Sequence, residues 1–331
     1  MRRREFISLL GGSTAAWSLA AHAQEPRQKI RRVAYLIAEA TLDDPEGERR
    51  ISGLAEALRN LGWIDGQNLK LSIRRVKPSA ADVRRGAAEL LADSPDVIIT
   101  GGGTTTPPVL QATNTVPVIF TTVVDPVGSG LVESLAHPGG NVTGFMQFDY
   151  SLSGKWLELL KQVAPGIARV GVVRDATVST GIGQFAVIQS VSGSLGADIV
   201  PIGTRDAGEV ESGIAKLARY PNSGLIVTLG AAVNGHRDLI IALAAQHRFP
   251  TVYASRAYVD RGGLISYGSD IVASAGRAAI YVDRILKGER PADLPVQAPN
   301  KYEVVLNLKT AKSLGFELPA TVISRADEVI E

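Results

Sequence analysis

Cysteine is absent from the 331-residue chain, and histidine, methionine and tryptophan are scarce, at four, two and three residues. Without cysteine there is no disulfide framework, no thiolate nucleophile and no thiolate metal site. Outside the first 23 residues only His137, His236 and His247 remain, and no pair of acidic residues accompanies them at metal-ligand spacing. We therefore expect neither a metal nor a cofactor, and a fold stabilised by apolar burial alone.

An excess of positive charge is also missing once the first 23 residues are set aside. That segment holds three of the 35 Lys and Arg residues and one of the 33 Asp and Glu residues, which leaves 32 of each. No run of five basic residues follows it. Nucleic-acid binding is therefore not expected, because that function uses concentrated positive charge.

The first 23 residues have the pattern of an export signal. A twin-arginine pair at 3–4 is followed by a modestly apolar stretch at 7–21, and Ala23 ends the small-x-small site AHA. The apolar stretch is too short and too rich in Gly, Ser and Thr to anchor the chain in a bilayer about 30 Å thick. Gln24 stands where a lipidated protein would need cysteine. We predict twin-arginine export, cleavage after Ala23, and a periplasmic protein without a membrane anchor.

Short β-branched runs alternate with segments of helical periodicity along the rest of the chain. The first series has predicted strands at 32–37, 69–76, 96–100 and 117–122, and predicted helices at 48–61, 80–92 and from 107 onward. The second has predicted strands at 169–173, 199–202, 225–228 and 251–254, and predicted helices at 184–195, 209–219 and 237–247. The tail adds predicted strands at 263–267 and 302–308 around a helix at 271–286.

Continuous apolar runs suit parallel strands that are covered on both faces. Two consecutive series of about 110 residues each predict an α/β protein of two doubly wound, Rossmann-like lobes. We expect lobe 1 to contain residues 30–145 and about 263–290, and lobe 2 to contain residues 150–262 and about 300–331. The tail then supplies one element to each lobe, which creates a hinge beside a central ligand cleft.

Loops that follow the predicted strands are candidate ligand contacts, because open α/β sheets bind ligands beyond the carboxyl ends of their strands. A loop rich in Gly and Thr at 101–107 precedes a predicted helix, whose free N–H groups and positive dipole end suit a carboxylate. The other loops add acidic, aromatic and hydroxyl side chains. The candidates are Gly103, Thr104, Thr105, Thr122, Asp125, Asp175, Thr177, Ala231, Arg256, Tyr258, Tyr267 and Asp270.

Several candidates also have a purely structural interpretation. Asp125 precedes a proline and suits a turn, and Asp270 suits a helix cap. Tyr258 and Tyr267 suit interior packing as well as contact with a planar solute. Residues 181–186 fit the dinucleotide pattern G-x-G-x-x-A, but they lie past the strand-to-helix turn, which argues against a nucleotide cofactor.

Several long motifs stand in order along nearly the whole of the chain after the export signal. They are 58–68 (LRNLGWIDGQN), 125–127 (DPV), 137–144 (HPGGNVTG), 262–268 (GGLISYG), 284–288 (RILKG), 292–297 (ADLPVQ) and 307–311 (NLKTA). Together they resemble the ABC-transporter substrate-binding proteins whose characterised members include tryptophan and tyrosine binders. The resemblance implies a type I periplasmic-binding fold with two lobes joined by three crossing segments. It also implies a small-molecule solute in the cleft, and a separately encoded permease and ATPase as partners.

The combined expectation is a monomeric, non-enzymatic receptor that captures a small polar solute by closing its lobes, with amino acids and aromatic compounds as candidates. An amino-acid carboxylate would sit on residues 103–105, and Asp175 or Asp125 would accept its ammonium group. Two alternatives stay open: an exported α/β enzyme with a bound cofactor, and a ligand-sensing partner of a membrane receptor. The sequence contains neither a P-loop motif nor a nucleophile-elbow motif, so it gives no support to the enzyme alternative.

Overall fold

The computed structural model describes residues 30–39, 44–299 and 301–331. The export signal and its cleavage site lie outside these residues. Within them, strands and helices alternate and form two α/β sheets, which confirms the predicted fold class. No helix in the described ranges combines the length and apolar character that crossing a membrane requires.

The first sheet and its connecting helices form lobe 1. Its strands are β1 (Arg31–Ala38), β2 (Leu69–Val76), β3 (Val97–Thr100), β4 (Val118–Val123) and β5 (Val142–Met146), and its connecting helices are α1 (Pro45–Asn60), α2 (Ala80–Ala92) and α3 (Thr106–Ala112). All five strands are parallel in the order β2-β1-β3-β4-β5. The order therefore reverses between β1 and β3. Every residue of β3 and β5 is buried, as expected for strands with both faces covered.

The second sheet forms lobe 2. Its strands are β6 (Arg169–Val173), β7 (Asp198–Ile202), β8 (Ser223–Val227), β9 (Thr251–Tyr253), β10 (Ile265–Ser269), β11 (Tyr302–Asn307) and β12 (Glu328–Ile330). The further helices are α4 (Leu152–Val163), α5 (Ser179–Ser192), α6 (Ala207–Leu217), α7 (Ala231–Gly235), α8 (Arg237–Gln246), α9 (Arg256–Val259), α10 (Ile271–Leu286), α11 (Leu308–Leu314) and α12 (Ala320–Ile323). The strand order is β12-β11-β10-β9-β8-β6-β7, with β11 antiparallel to β10. The order reverses between β6 and β8.

Helix α10 leaves lobe 2 and packs on lobe 1. Its buried face includes Tyr281 and shares a core with strand β1. Trp63 Nε1 donates a hydrogen bond to Asp283 Oδ1 at 2.9 Å, which ties the end of α1 to α10. Strand β10, directly before α10, pairs with β9 and β11 in lobe 2. The expected placement of residues 263–290 in lobe 1 is therefore wrong before Asp270, because the backbone of β10 finds its partners in the other sheet.

Three chain segments connect the lobes. The first follows β5, the second is centred on Asp270, and the third includes residues 297–299 and leads to β11. Gln297 forms a parallel bridge with Phe145 at the end of β5, so the third segment leaves lobe 1 beside the first. This arrangement brings the carboxyl ends of both sheets to one cleft.

Candidate functional site

A cavity of about 450 Å³ lies between the lobes at the carboxyl ends of both sheets. The lobe 1 wall includes Ala38 at the end of β1 and residues 101–104 after β3. The lobe 2 wall includes Asp175 after β6 and residues 229–231 after β8. These four strand ends flank the point where the strand order reverses in each sheet, which is where doubly wound sheets bind ligands. The volume suits a small solute.

The loop after β3 reaches the cavity, but the N–H groups at the start of α3 already have partners inside the loop. The carbonyl oxygen of Gly102 accepts hydrogen bonds from the N–H groups of Thr105 (3.2 Å) and Thr106 (3.1 Å) and from both hydroxyls. Pro107 and Pro108 follow and have no N–H group. The first turn of α3 therefore offers no free N–H group to a carboxylate. Thr105 is fully buried inside the loop.

Gly103, Thr104 and Thr122 remain as the polar wall of lobe 1 at this loop. Gly102 has a φ of +133°, and a Cβ atom there would lie 3.1 Å from Thr122 Oγ1. Glycine is needed at this position because it permits both the backbone conformation and the close approach to β4. The loop therefore presents backbone groups and two threonine side chains to a solute.

Helix α1 contributes a charged pair to the cavity wall that the sequence analysis missed. Glu46 and Arg50 both line the cavity, and Arg50 Nη2 donates to Glu46 Oε1 at 2.5 Å. Their side chains are only 6% and 13% exposed. Asp44 caps α1 by accepting a hydrogen bond from the Glu46 N–H at 3.1 Å, which fixes the first helical turn beside the cavity. The available signal was the four-residue spacing of Glu46 and Arg50 on one face of the first helix.

Glu39, directly after β1, is a second buried carboxyl near Arg50. Its Oε2 lies 3.6 Å from Arg75 Nε and has no hydrogen-bond partner among the described residues. Burial raises the pKa of Glu39 to about 7, although Arg75 and Arg50 act in the opposite direction. The charge of this carboxyl therefore changes near neutral pH.

Lobe 2 contributes a carboxylate, a helix start and an amide. Asp175 Oδ1 accepts hydrogen bonds from the N–H (2.9 Å) and the hydroxyl (2.6 Å) of Thr177. Thr177 therefore orients the Asp175 carboxylate and does not itself line the cavity. Ser179 and Thr180 line the cavity where α5 begins, and no side chain caps that helix. Asn234 of α7 completes this side of the wall.

The structure brings some of the predicted residues together and separates the others. Those that line the cavity are Gly103, Thr104, Thr122, Asp175 and Ala231. Those outside the wall are Thr105, Asp125, Thr177, Arg256, Tyr258, Tyr267 and Asp270. For each residue outside the wall, a hydrogen bond, an ion pair or a packing contact explains its position.

Three charged residues outside the wall have local roles. Asp125 Oδ1 accepts the Gly128 N–H at 2.7 Å and closes a turn. Asp270 Oδ1 accepts the N–H groups at the start of α10 and caps that helix. Arg256 Nη2 pairs with Glu328 Oε2 at 3.0 Å. The alternative structural interpretation of Asp125 and Asp270 therefore matches the observed contacts.

The two aromatic candidates pack within lobe 2. Tyr258 is fully buried and stacks on Tyr253, with ring centroids 4.8 Å apart. Its hydroxyl donates to Asn234 Oδ1 at 3.1 Å, so it contacts the wall indirectly. Tyr267 lines a separate pocket of about 270 Å³ together with Leu159 of α4. Neither ring reaches the cavity between the lobes.

The chemistry of the wall is polar and aliphatic. Its charged side chains are Glu46, Arg50 and Asp175, and Ser129, Gln147 and Ser255 add further hydrogen-bonding groups. No aromatic side chain of the described residues lines this cavity. The described part of the chain also contains no group of three His, Cys, Asp or Glu residues that could hold a metal ion. The wall suits a small polar solute that carries groups of both charges.

Two doubly wound lobes with a ligand-sized cavity at their facing strand ends define a two-lobed binding protein of the type I periplasmic-binding fold. The model of the family "ABC transporter substrate binding protein" matches residues 38–330. The chain belongs to this family, which confirms the resemblance seen in its motifs. The family binds solutes for ABC transporters.

Individual relatives agree with this assignment. The tyrosine-binding protein of Clostridioides difficile (strain R20291) is 26% identical over 297 residues, which cover 88% of this chain and 82% of the relative. A conserved domain protein from Vibrio cholerae O1 biovar eltor str. N16961 superposes with a TM-score of 0.84 at 27% identity, covering 91% of this chain and 100% of its own. An ABC domain from Streptococcus pneumoniae in complex with L-Trp gives a TM-score of 0.83 at 22% identity, with 91% and 99% covered.

Proposed function

We propose that the chain is the periplasmic solute receptor of an ABC importer and captures a small zwitterion of the amino-acid type between its lobes. The observation that carries this proposal is the cavity, which has the Asp175 carboxylate on one lobe and the Arg50 guanidinium on the other. A solute that contacts both walls stabilises the closed arrangement over the open one, which is how a two-lobed receptor captures its ligand.

In this proposal Asp175 accepts the ammonium group of the solute. The two hydrogen bonds from Thr177 fix the orientation of its carboxylate before the solute arrives. Arg50 binds the solute carboxylate from lobe 1, beside Gly103 and Thr104. Arg50 uses Nη2 to bind Glu46, and its Nε has no hydrogen-bond partner among the described residues. A guanidinium with unused donors suits a carboxylate.

The names of two relatives support the amino-acid class. One is a tyrosine-binding protein, and the other is a domain solved in complex with L-Trp. The part of the wall that would contact the solute side chain is aliphatic here and includes Val124, Leu131 and Leu229. We therefore propose that apolar contact, rather than aromatic stacking, holds the solute side chain.

The export signal supports delivery to the periplasm through the twin-arginine route, with cleavage after Ala23. The family supports a separately encoded permease and ATPase as partners. We propose that the mature chain acts as a monomer, because a two-lobed clamp completes its binding site within one chain.

A thermal-shift screen tests the solute class. The protein starting at Gln24 is unfolded and refolded to remove any carried solute, and is then mixed with amino acids, their deaminated acids, sugars and nucleobases. A solute at 100 times its Kd adds about 2.7 kcal/mol of stability, which raises the Tm by several degrees. We expect one or a few amino acids to raise the Tm and to be recovered unchanged.

Two outcomes of the screen would contradict the proposal. A shift with sugars or nucleobases but with no amino acid would refute the solute class. Chemical conversion of a stabilising compound during the incubation would refute the receptor role and favour an exported enzyme.

A further inference from the structure

Two ion pairs join the lobes beside the cavity. Arg237 Nη2 in lobe 2 lies 3.2 Å from Asp44 Oδ2 in lobe 1, and Arg49 Nη2 in lobe 1 lies 3.5 Å from Asp260 Oδ2 in lobe 2. The side chains of Arg237 and Asp44 are only 8% and 17% exposed, whereas that of Arg49 is 51% exposed. The first pair is therefore shielded from water, and the second is a surface pair of the kind that contributes little.

The buried pair is connected to both walls of the cavity. On lobe 2, the Arg237 guanidinium lies 5.5 Å from the ring centroid of Tyr258, whose hydroxyl donates to Asn234 at 3.1 Å. Asn234 lines the cavity. On lobe 1, Asp44 caps α1, and the first turns of this helix carry the charged pair of the wall. A change in the separation of the lobes would therefore shift residues of the wall that would contact a solute.

We infer that the Asp44–Arg237 pair is an interlobe latch that holds the lobes closed and positions the cavity wall. The inference rests on the proposed function, because a latch is useful only to a receptor that opens and closes. Its physical basis is that a buried charge is tolerated only when it is paired. Among the described residues, Asp44 is the carboxylate that forms an ion pair with Arg237, and Arg237 Nε has no hydrogen-bond partner that could replace it. When the lobes separate, water replaces this contact.

The latch predicts how the lobe equilibrium responds to one substitution. Asp44→Asn removes the charge, while asparagine still caps α1 as well as aspartate does. The closed form of this variant leaves the buried Arg237 without its ion-pair partner, so the open form is favoured. We expect the closed fraction, relative to the open one, to fall at least about fivefold, which is the lower end of ordinary coupling between sites.

Pulsed electron paramagnetic resonance measures this equilibrium directly. Because the chain contains no cysteine, Val127→Cys in lobe 1 and Ile182→Cys in lobe 2 give two unique spin-label sites. Both positions are exposed, at 41% and 52%. The distance between the labels is recorded in solute-free protein for the doubly labelled parent and for the same protein carrying Asp44→Asn. We expect the population at the longer distance to grow in the variant, by the same factor of at least about five relative to the shorter distance.

Three further variants make the result specific. Arg49→Gln breaks the exposed interlobe pair and is expected to leave the distance distribution unchanged. Arg237→Gln is expected to reproduce the effect of Asp44→Asn, and the double variant is expected to add nothing to either single one. Cooperative thermal unfolding of each variant confirms that it is folded. If either Asp44→Asn or Arg237→Gln keeps the parent distribution, the latch is refuted.

The same samples separate this inference from the proposed function. Distances recorded with L-tryptophan or L-leucine as probes report capture. Each is used at about 10 mM, roughly tenfold above a Kd of 1 mM, so that even weak binding is detected. A parent protein that responds to no amino acid speaks against the proposed solute class and leaves the latch result standing. A parent that responds, with unchanged distances in the Asp44→Asn variant, refutes the latch alone.

Discussion

Single side chains at the start of α1 are placed by charge rather than by apolar burial. Asp44 pairs with Arg237 at 3.2 Å, and Glu46 pairs with Arg50 at 2.5 Å. Glu39 differs, because its cation, Arg75, is 3.6 Å away and its Oε2 has no hydrogen-bond partner among the described residues. At the residue scale, Glu39 is therefore the carboxyl near the cavity whose ionisation is least compensated.

Glu39→Gln is expected to flatten the dependence of stability on pH. Burial raises the pKa of Glu39 from 4.5 to about 7 in the folded chain. The unfolded chain therefore releases this proton at lower pH than the folded chain does. Stability from this group is fully present below pH 4.5 and is lost as the pH rises to about 7, by at most about 3 kcal/mol.

Urea unfolding at pH 5 and pH 7.5 measures this effect. The free energy of unfolding of the parent should fall more between the two pH values than that of Glu39→Gln. All other titrating groups are common to both proteins, so they cancel in the comparison. Equal losses in the two proteins would show that the Glu39 carboxyl has an ordinary pKa.

At the element scale, the spacing of two strands depends on one glycine. Gly144 of β5 pairs with Phe120 of β4 in the first sheet. A Cβ atom at residue 144 would lie 2.1 Å from the carbonyl oxygen of Phe120. This contact is far shorter than van der Waals distance and involves backbone, so neither strand can relieve it by changing a side-chain rotamer.

Gly144→Ala is therefore expected to destabilise lobe 1 by about 3 kcal/mol, the upper range for overpacking in a core. Gly166→Ala is the matched control, because a Cβ atom there meets no atom within 4 Å. Chemical denaturation of both variants gives the comparison. A loss below about 0.5 kcal/mol for Gly144→Ala, within the usual range for surface substitutions, would mean that β5 can move away from β4.

Elements with a regular apolar pattern were predictable from the sequence. The predicted strands 69–76 and 169–173 and the predicted helices 80–92 and 271–286 coincide with β2, β6, α2 and α10. Helix α4 was missed even though it buries Trp156 and has a serine, a common start signal, at its N-cap position. The pattern of residues 263–267 predicted a strand but not its sheet, because strand pairing depends on tertiary contacts.

The candidate site was only partly predictable, again because tertiary contacts decide which side chains reach it. Loops after strands could be identified because the carboxyl ends of parallel strands share one edge of the sheet. Whether Thr105 or Tyr258 faces the cavity depends on contacts that the sequence does not reveal, such as the stacking of Tyr258 on Tyr253. Glu46 was missed because α1 starts at Pro45, three residues before the predicted start at residue 48. Arg50 lies inside the predicted helix, whose apolar spacing does not show which polar side chains reach the cavity.

At the scale of the whole molecule, the wall of the cavity is divided between the two lobes. Lobe 1 provides Arg50 and Thr104, and lobe 2 provides Asp175. A zwitterion would contact opposite charges on the two lobes at once, so each contact would stabilise the closed arrangement. Loss of one charged contact should therefore lower the affinity of the whole protein for the solute, in addition to removing a local hydrogen bond.

Asp175→Asn tests this view because it removes the charge while keeping an oxygen that can accept the hydrogen bonds of Thr177. For the amino acid that gives the largest thermal shift, we expect Kd to rise at least about tenfold, since a hydrogen bond to a charged group contributes about 1.5–3 kcal/mol. The deaminated acid lacks the ammonium group, so its affinity should change little. Isothermal titration calorimetry measures both affinities.

The control for this experiment is Glu211→Gln, which makes the same change of net charge at an exposed position of α6 in lobe 2. It is expected to leave both affinities unchanged, because an exposed charge outside the cavity is screened by salt. If Asp175→Asn weakens the amino acid and its deaminated acid equally, Asp175 shapes the wall without binding the ammonium group. If neither affinity changes, the zwitterion does not bridge the lobes through Asp175, and closure must depend on contacts made by other residues of the wall.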